Sequence, residues 1–159
     1  MPSFWRPDVS EGERSIFISY VSVAVIGSWM AYVVEHRLAG GQSLMDLPTL
    51  YDVWSIVSGA VGAVFAVYLG RKWLGHNGVE GVRGLAMAIP VTTFVAALVG
   101  GTLVLPFYGT MFGPLALVGT FIDKPLLLLL WIATLFGANL AHGIHRRERE
   151  TIFTAPIPQ

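Results

Sequence analysis

The chain has no cysteine, which excludes disulfides, thiolate nucleophiles and cysteine-ligated metal or iron–sulfur sites in one step. Charge is scarce: Asp, Glu, Lys and Arg make up 13% of the 159 residues, against about 25% in soluble domains. The formal net charge is zero, so no overall field argues for nucleic acid as a partner. The sequence has no G-x-S-x-G, no H-E-x-x-H and no phosphate-binding glycine loop, and its many glycines fall in packing stripes or turns. No catalytic residue, cofactor or metal ligand is expected, and an enzyme is the least favoured class.

Apolar residues are abundant, at 54% of the chain. This imbalance predicts an all-α integral membrane protein, a four-transmembrane-helix bundle forming one membrane domain over residues 1–159. The organising stretch is Gly84 to Ile122, 39 residues without Asp, Glu, Lys, Arg or His. As one helix it would reach roughly 58 Å, about twice the hydrocarbon thickness of a bilayer. Gly100, Gly101, Pro106, Gly109, Gly113 and Pro114 break it where one crossing would be complete. The expectation is a span over about 84–105 followed by an apolar, helix-broken segment over 106–122, re-entrant or interfacial.

The other spans are read at about 15–34, 53–70 and 126–144. Ser10-x-x-Glu13 is a capping box before the first, and Asp46 or Thr49 is the expected cap of the second, with Asp52 complementing its dipole. Trp54 and Trp73 stand 19 residues apart, roughly 29 Å along a helix, the spacing of two indoles at opposite interfaces. Pro90 interrupts the third span, and Thr92 and Thr93 are the hydroxyls expected to recover the freed carbonyl. Arg146 to Glu150 is expected to extend the last helix before Pro156 and Pro158 stop it.

Lys and Arg alternate between loops as 2, 1, 3, 1, 3. The positive-inside rule then sets both termini in the cytoplasm and the protein in a plasma or inner membrane. A fifth span over 109–122 would export the three C-terminal arginines. The inner cluster of Arg71, Lys72, Arg83, Arg146, Arg147 and Arg149 is expected to meet anionic lipid headgroups.

Small residues recur at helical spacing on the later spans: Ser55, Gly59, Gly62 and Ala66; Thr93, Ala97 and Gly100; Thr134, Ala138 and Ala141. Lipid provides no hydrophobic drive between helices, so close approach through such residues is what associates them. These faces are expected in helix contacts, within the chain or with a membrane-protein partner or second copy. His142 and His145 lie one turn apart with His76 on the same side, a grouping read as end residues rather than a metal or haem site. Asn139 is expected to bond across helices. The spans contain no charge of the kind that marks ion pathways.

Four spans with both termini inside resembles the small membrane subunits of tripartite secondary transporters, a likeness of topology that carries no residue across. Two functions follow as expectations. The first is a non-catalytic subunit that packs against or helps assemble a larger membrane complex; the alternative is a small transporter or channel component using the broken segment 106–122, since broken helices line transporter sites.

Overall fold

The computed structural model describes residues 10–38, 40 and 49–154, with side chains to residue 151. They form five helices: α1 (Glu11–Leu38), α2 (Leu50–Gly70), α3 (Gly78–Val104), α4 (Tyr108–Asp123) and α5 (Pro125–Thr154). α1, α2, α3 and α5 are each long and apolar enough to cross a membrane, so the protein is a multi-pass, all-α membrane bundle. The helices overrun the hydrophobic spans at their ends, and α5 carries the basic tail as expected.

Local chemistry sets the helix starts. Thr49 caps α2 through a reciprocal box: its hydroxyl accepts from the Asp52 amide, and the Asp52 side chain accepts from the Thr49 amide. Asp46, the other candidate cap, lies outside the described residues. Ser10 accepts from the Glu13 amide at 3.2 Å and donates to Glu148 at 3.0 Å, so one hydroxyl caps α1 and ties it to the end of α5. The Gly12 amide reaches the same Glu148 oxygen at 2.7 Å.

α2 lies between α1 and α3. A Cβ on Gly59 would meet the Gly27 carbonyl oxygen of α1 at 2.5 Å, and one on Gly62 would meet the Ala96 carbonyl oxygen of α3 at 2.7 Å. Backbones this close leave no room for side chains, which is how small residues fix a helix pair in lipid. At the end where α1 begins and α5 finishes, hereafter the termini end, the loop joining α2 to α3 tucks beneath α5. Leu74 is fully buried there. Gly75, with φ +79°, donates to Asn139 Oδ1 at 2.8 Å and lies against the His142 backbone. Only glycine has both the conformation and the lack of bulk for that position. The Asn139 bond thus crosses from a helix to a loop.

Two expectations need correction. Segment 106–122 is not broken along its length: the break is confined to residues 105–107, and a 16-residue helix follows, with Pro114 inside it. Phe107 has φ 68° and ψ −57°, and the Tyr108 amide donates to the Pro106 carbonyl at 2.9 Å, the rarer and more strained form of γ-turn. At about 24 Å, α4 is too short to cross. It folds back on α3 through Gly109 and Gly113 against Gly101 and Ala97, and Thr110 pairs with Thr102 at 2.8 Å. The Thr102 hydrogen is already given to the Leu98 carbonyl at 2.6 Å, so Thr110 is the donor. α4 ends on Arg37 of α1, whose Nε is 2.7 Å from Asp123.

The second correction concerns Pro90. α3 continues through it, but the Thr92 and Thr93 hydroxyls donate to the carbonyls of Ala88 and Ile89. A hydroxyl on a helix reaches three or four residues back, so neither can serve the Ala86 carbonyl that Pro90 leaves without its amide.

Candidate functional site

At the opposite end, where α3 turns into α4, the bundle is hollow. A cavity of about 910 Å³ lies among α1, α2, α3 and α4, with Trp131 of α5 contributing to its wall. It falls within the range of about 300–1,000 Å³ usual for small-molecule sites. Its walls are mainly Gly27, Met30, Ala31 and Val34 of α1, Ser55, Gly59 and Ala63 of α2, Ala96, Ala97 and Gly100 of α3, and Phe112, Ala116 and Leu117 of α4.

The cavity exists because helices that touch through glycine at one level cannot also touch where one of them diverges. α2 is pinned to α1 at Gly59 and to α3 at Gly62. α4 is held to α3 by the Gly101–Gly109 crossing and to α1 through Arg37, which pairs with Asp123 and reaches the Ala116 carbonyl, leaving a gap between. Trp131 is 1% exposed and donates to Thr93 Oγ1 at 2.7 Å, so a large ring is fixed beside the small-residue wall. On the outside, Trp54 donates to the Leu103 carbonyl at 2.9 Å, tying α2 to the last turn of α3.

Polar groups in the lining are few: Glu35, His36, Thr49, Asp52, Ser55, Thr93 and the hydroxyl-bearing Tyr51 and Tyr108. The Glu35 carboxyl lies near the Asp52 carboxyl and the Ser55 hydroxyl, but Ser55 Oγ is not in hydrogen-bonding geometry with it. Glu35 Oε2, His36 Nε2 and Ser55 Oγ are buried atoms without a hydrogen-bond partner, and Ser55 is 2% exposed as a residue. A buried polar group left unsatisfied costs about 1–3 kcal/mol, and such groups call for a strain, ligand or catalytic explanation. Their residues line an apolar space, which suits an amphipathic occupant whose polar head donates hydrogen bonds or carries positive charge and reaches these groups after a side-chain rotation.

The predicted packing residues divide between two roles. Gly62, Ala66, Ala138 and Ala141 are buried or closely packed. Ser55, Gly59, Thr93, Ala97 and Gly100 line the cavity as well as a helix contact. Thr134 stays half-exposed and returns its hydroxyl to the Leu130 carbonyl of its own helix. Sequence reasoning missed Gly27 and Ala31 of α1, although their four-residue spacing was the available signal, and it treated Glu35 and Asp52 as helix-end markers.

The histidines at the termini end do different things. His142 Nδ1 lies 2.8 Å from the Ala138 carbonyl and its ring meets Tyr20 edge-on, while His76 Nε2 pairs with Arg146 at 2.9 Å. Among the described residues, no three His, Asp or Glu side chains converge on a metal position. Of the basic residues, Arg71, Lys72, Arg146 and Arg149 border one groove. Arg147 bonds Asn77 at 2.9 Å and Arg83 is exposed on α3. No known protein family, curated protein or solved structure matches this chain.

Proposed function

We propose that the protein is a non-catalytic binding and transport component of the plasma or inner membrane. In this proposal both termini are cytoplasmic, and the cavity takes up a lipophilic molecule with a cationic or hydrogen-bond-donating head from the outer half of the bilayer. The observation that carries the proposal is the cavity, one wall of which is α4, with Glu35 and Ser55, each holding a buried polar atom without a partner, among its lining residues. Burial of the apolar body supplies affinity, and the carboxyls select the head. The basic count favours an outward-facing hairpin end.

The test is binding of tetraphenylphosphonium and an uncharged analogue of equal size to the purified protein. Val34→Trp places an indole in the cavity, takes up part of its volume and is expected to weaken binding of both. Glu35→Gln combined with Asp52→Asn is expected to weaken the cation by about tenfold, roughly the loss of one charge-assisted contact, and to spare the analogue. Unchanged binding in Val34→Trp would refute the proposal.

A second function, the assembling subunit, is favoured by one observation: α5 keeps an open face at Gly137, where a Cβ would meet nothing within 4 Å. The other small-residue faces are occupied within the chain, so support for a partner or second copy rests on that face. Purification with a second membrane protein that Gly137→Leu releases would favour it.

A further inference from the structure

A second concavity, about 1090 Å³ and more open, runs along the termini end across α1, between α2 and α5. One end is apolar, formed by Ala60, Val61, Val64 and Phe65; the other carries Arg71, Lys72, Arg146 and Arg149, with His145 beside them. No carboxylate lies in its lining among the described residues. Arg71 sits 4.3 Å from the Tyr68 ring centroid, which holds the guanidinium at the groove's edge. His145 Nδ1 is buried and without a hydrogen-bond partner.

We infer that this groove binds one anionic phospholipid, with its phosphate among Arg71, Lys72, Arg146 and Arg149 and an acyl chain along Val61, Val64 and Phe65. Charge complementarity selects the occupant. A cluster of four cations at one end of an apolar groove attracts an anion whose remainder is hydrocarbon, and the groove follows the helix axes as an acyl chain does. From residue 61 to residue 71 the α2 side runs roughly 15 Å, about the hydrocarbon depth of one leaflet. A soluble phosphate ester would leave the apolar half uncovered; a zwitterionic lipid would bring its own cation toward the arginines. The groove and the cavity lie at opposite ends of the bundle, so the two proposals stand or fall separately.

The test is a native mass-spectrometry titration of the full chain with phosphatidylglycerol, phosphatidylcholine and glycerol phosphate. Wild-type protein is expected to hold one phosphatidylglycerol at least tenfold more tightly than phosphatidylcholine, and glycerol phosphate not to displace it. Arg71→Gln with Arg149→Gln is expected to lose roughly 25-fold in affinity for phosphatidylglycerol, about fivefold per cation near a membrane surface. Arg83→Gln with Arg147→Gln, the same charge change outside the groove, is expected to keep it. Equal retention of the two lipids by wild type, equal loss in the two double variants, or displacement by glycerol phosphate would each overturn the inference. Since the wild-type preference is decisive by itself, a variant that failed to fold would not rescue it.

Discussion

The two ends of the bundle hold their helices in opposite ways. At the termini end the interior is filled: Leu74 is fully buried, Gly75 is wedged against α5, and Glu148, Asn139, Arg146 and Arg147 bond to other elements. At the hairpin end the bonds lie on the rim, through Trp54, Thr110 and Arg37, and the middle is hollow. Glu35 Oε2 and Ser55 Oγ there have no partner, as His145 Nδ1 has none at the termini end. The termini end is bonded by side chains that reach across its middle; the hairpin end is bonded at its rim and leaves a gap lined by small residues. The lesson is that the same ingredients, small residues and a few polar side chains, give a closed core or a site according to whether the helices stay in contact.

The sharpest way to break this contrast is at the α3–α4 crossing. Gly109→Leu drives a side chain into the Gly101 carbonyl and should cost about 3 kcal/mol, the upper end for overpacking, read as a drop in thermal unfolding temperature in detergent. A variant as stable as wild type would mean that the crossing does not hold α4. Next in size, Asn139→Ala strips the Gly75 amide of its acceptor and should cost about 2 kcal/mol, checked in the same melt. Smallest and of opposite sign, Ser55→Ala removes a buried hydroxyl that has no partner and should leave stability unchanged or raise it by up to about 1 kcal/mol. If it destabilised the fold as Asn139→Ala does, the two ends would not differ in the manner described.

The four crossing helices were legible because a charge-free run of about twenty residues has few alternatives in lipid. α4 was not, since Gly109, Gly113 and Pro114 read as breakers while in the fold the glycines are contact points with α3. The small-residue stripes were legible as helix faces, but not as two kinds of face. Gly62 packs on Ala96 and takes no part in the cavity lining, whereas Ser55 lines it and Ala97 both lines it and meets Gly113, and the difference depends on the relative tilt and register of neighbouring helices, which no spacing within one helix encodes. Glu35 and Asp52 lie on different helices and meet only because α1 and α2 are joined at this end. The Arg71 to Arg149 cluster was legible as charge on one side, but not as a groove.

The central claim, that the hairpin end encloses an accessible cavity, is best tested with single thiols, since the native chain has none to remove. Ser55 and Ser58 lie on the same helix at 2% and 1% exposure, and Ser55 lines the cavity whereas Ser58 lines neither hollow. Labelling of Ser55→Cys and Ser58→Cys by a small lipophilic maleimide in membranes compares them at equal burial. The account predicts at least about tenfold faster labelling at position 55, slowed by Val34→Trp, which narrows the space. Equal rates at the two positions, or a rate at 55 indifferent to Val34→Trp, would contradict it.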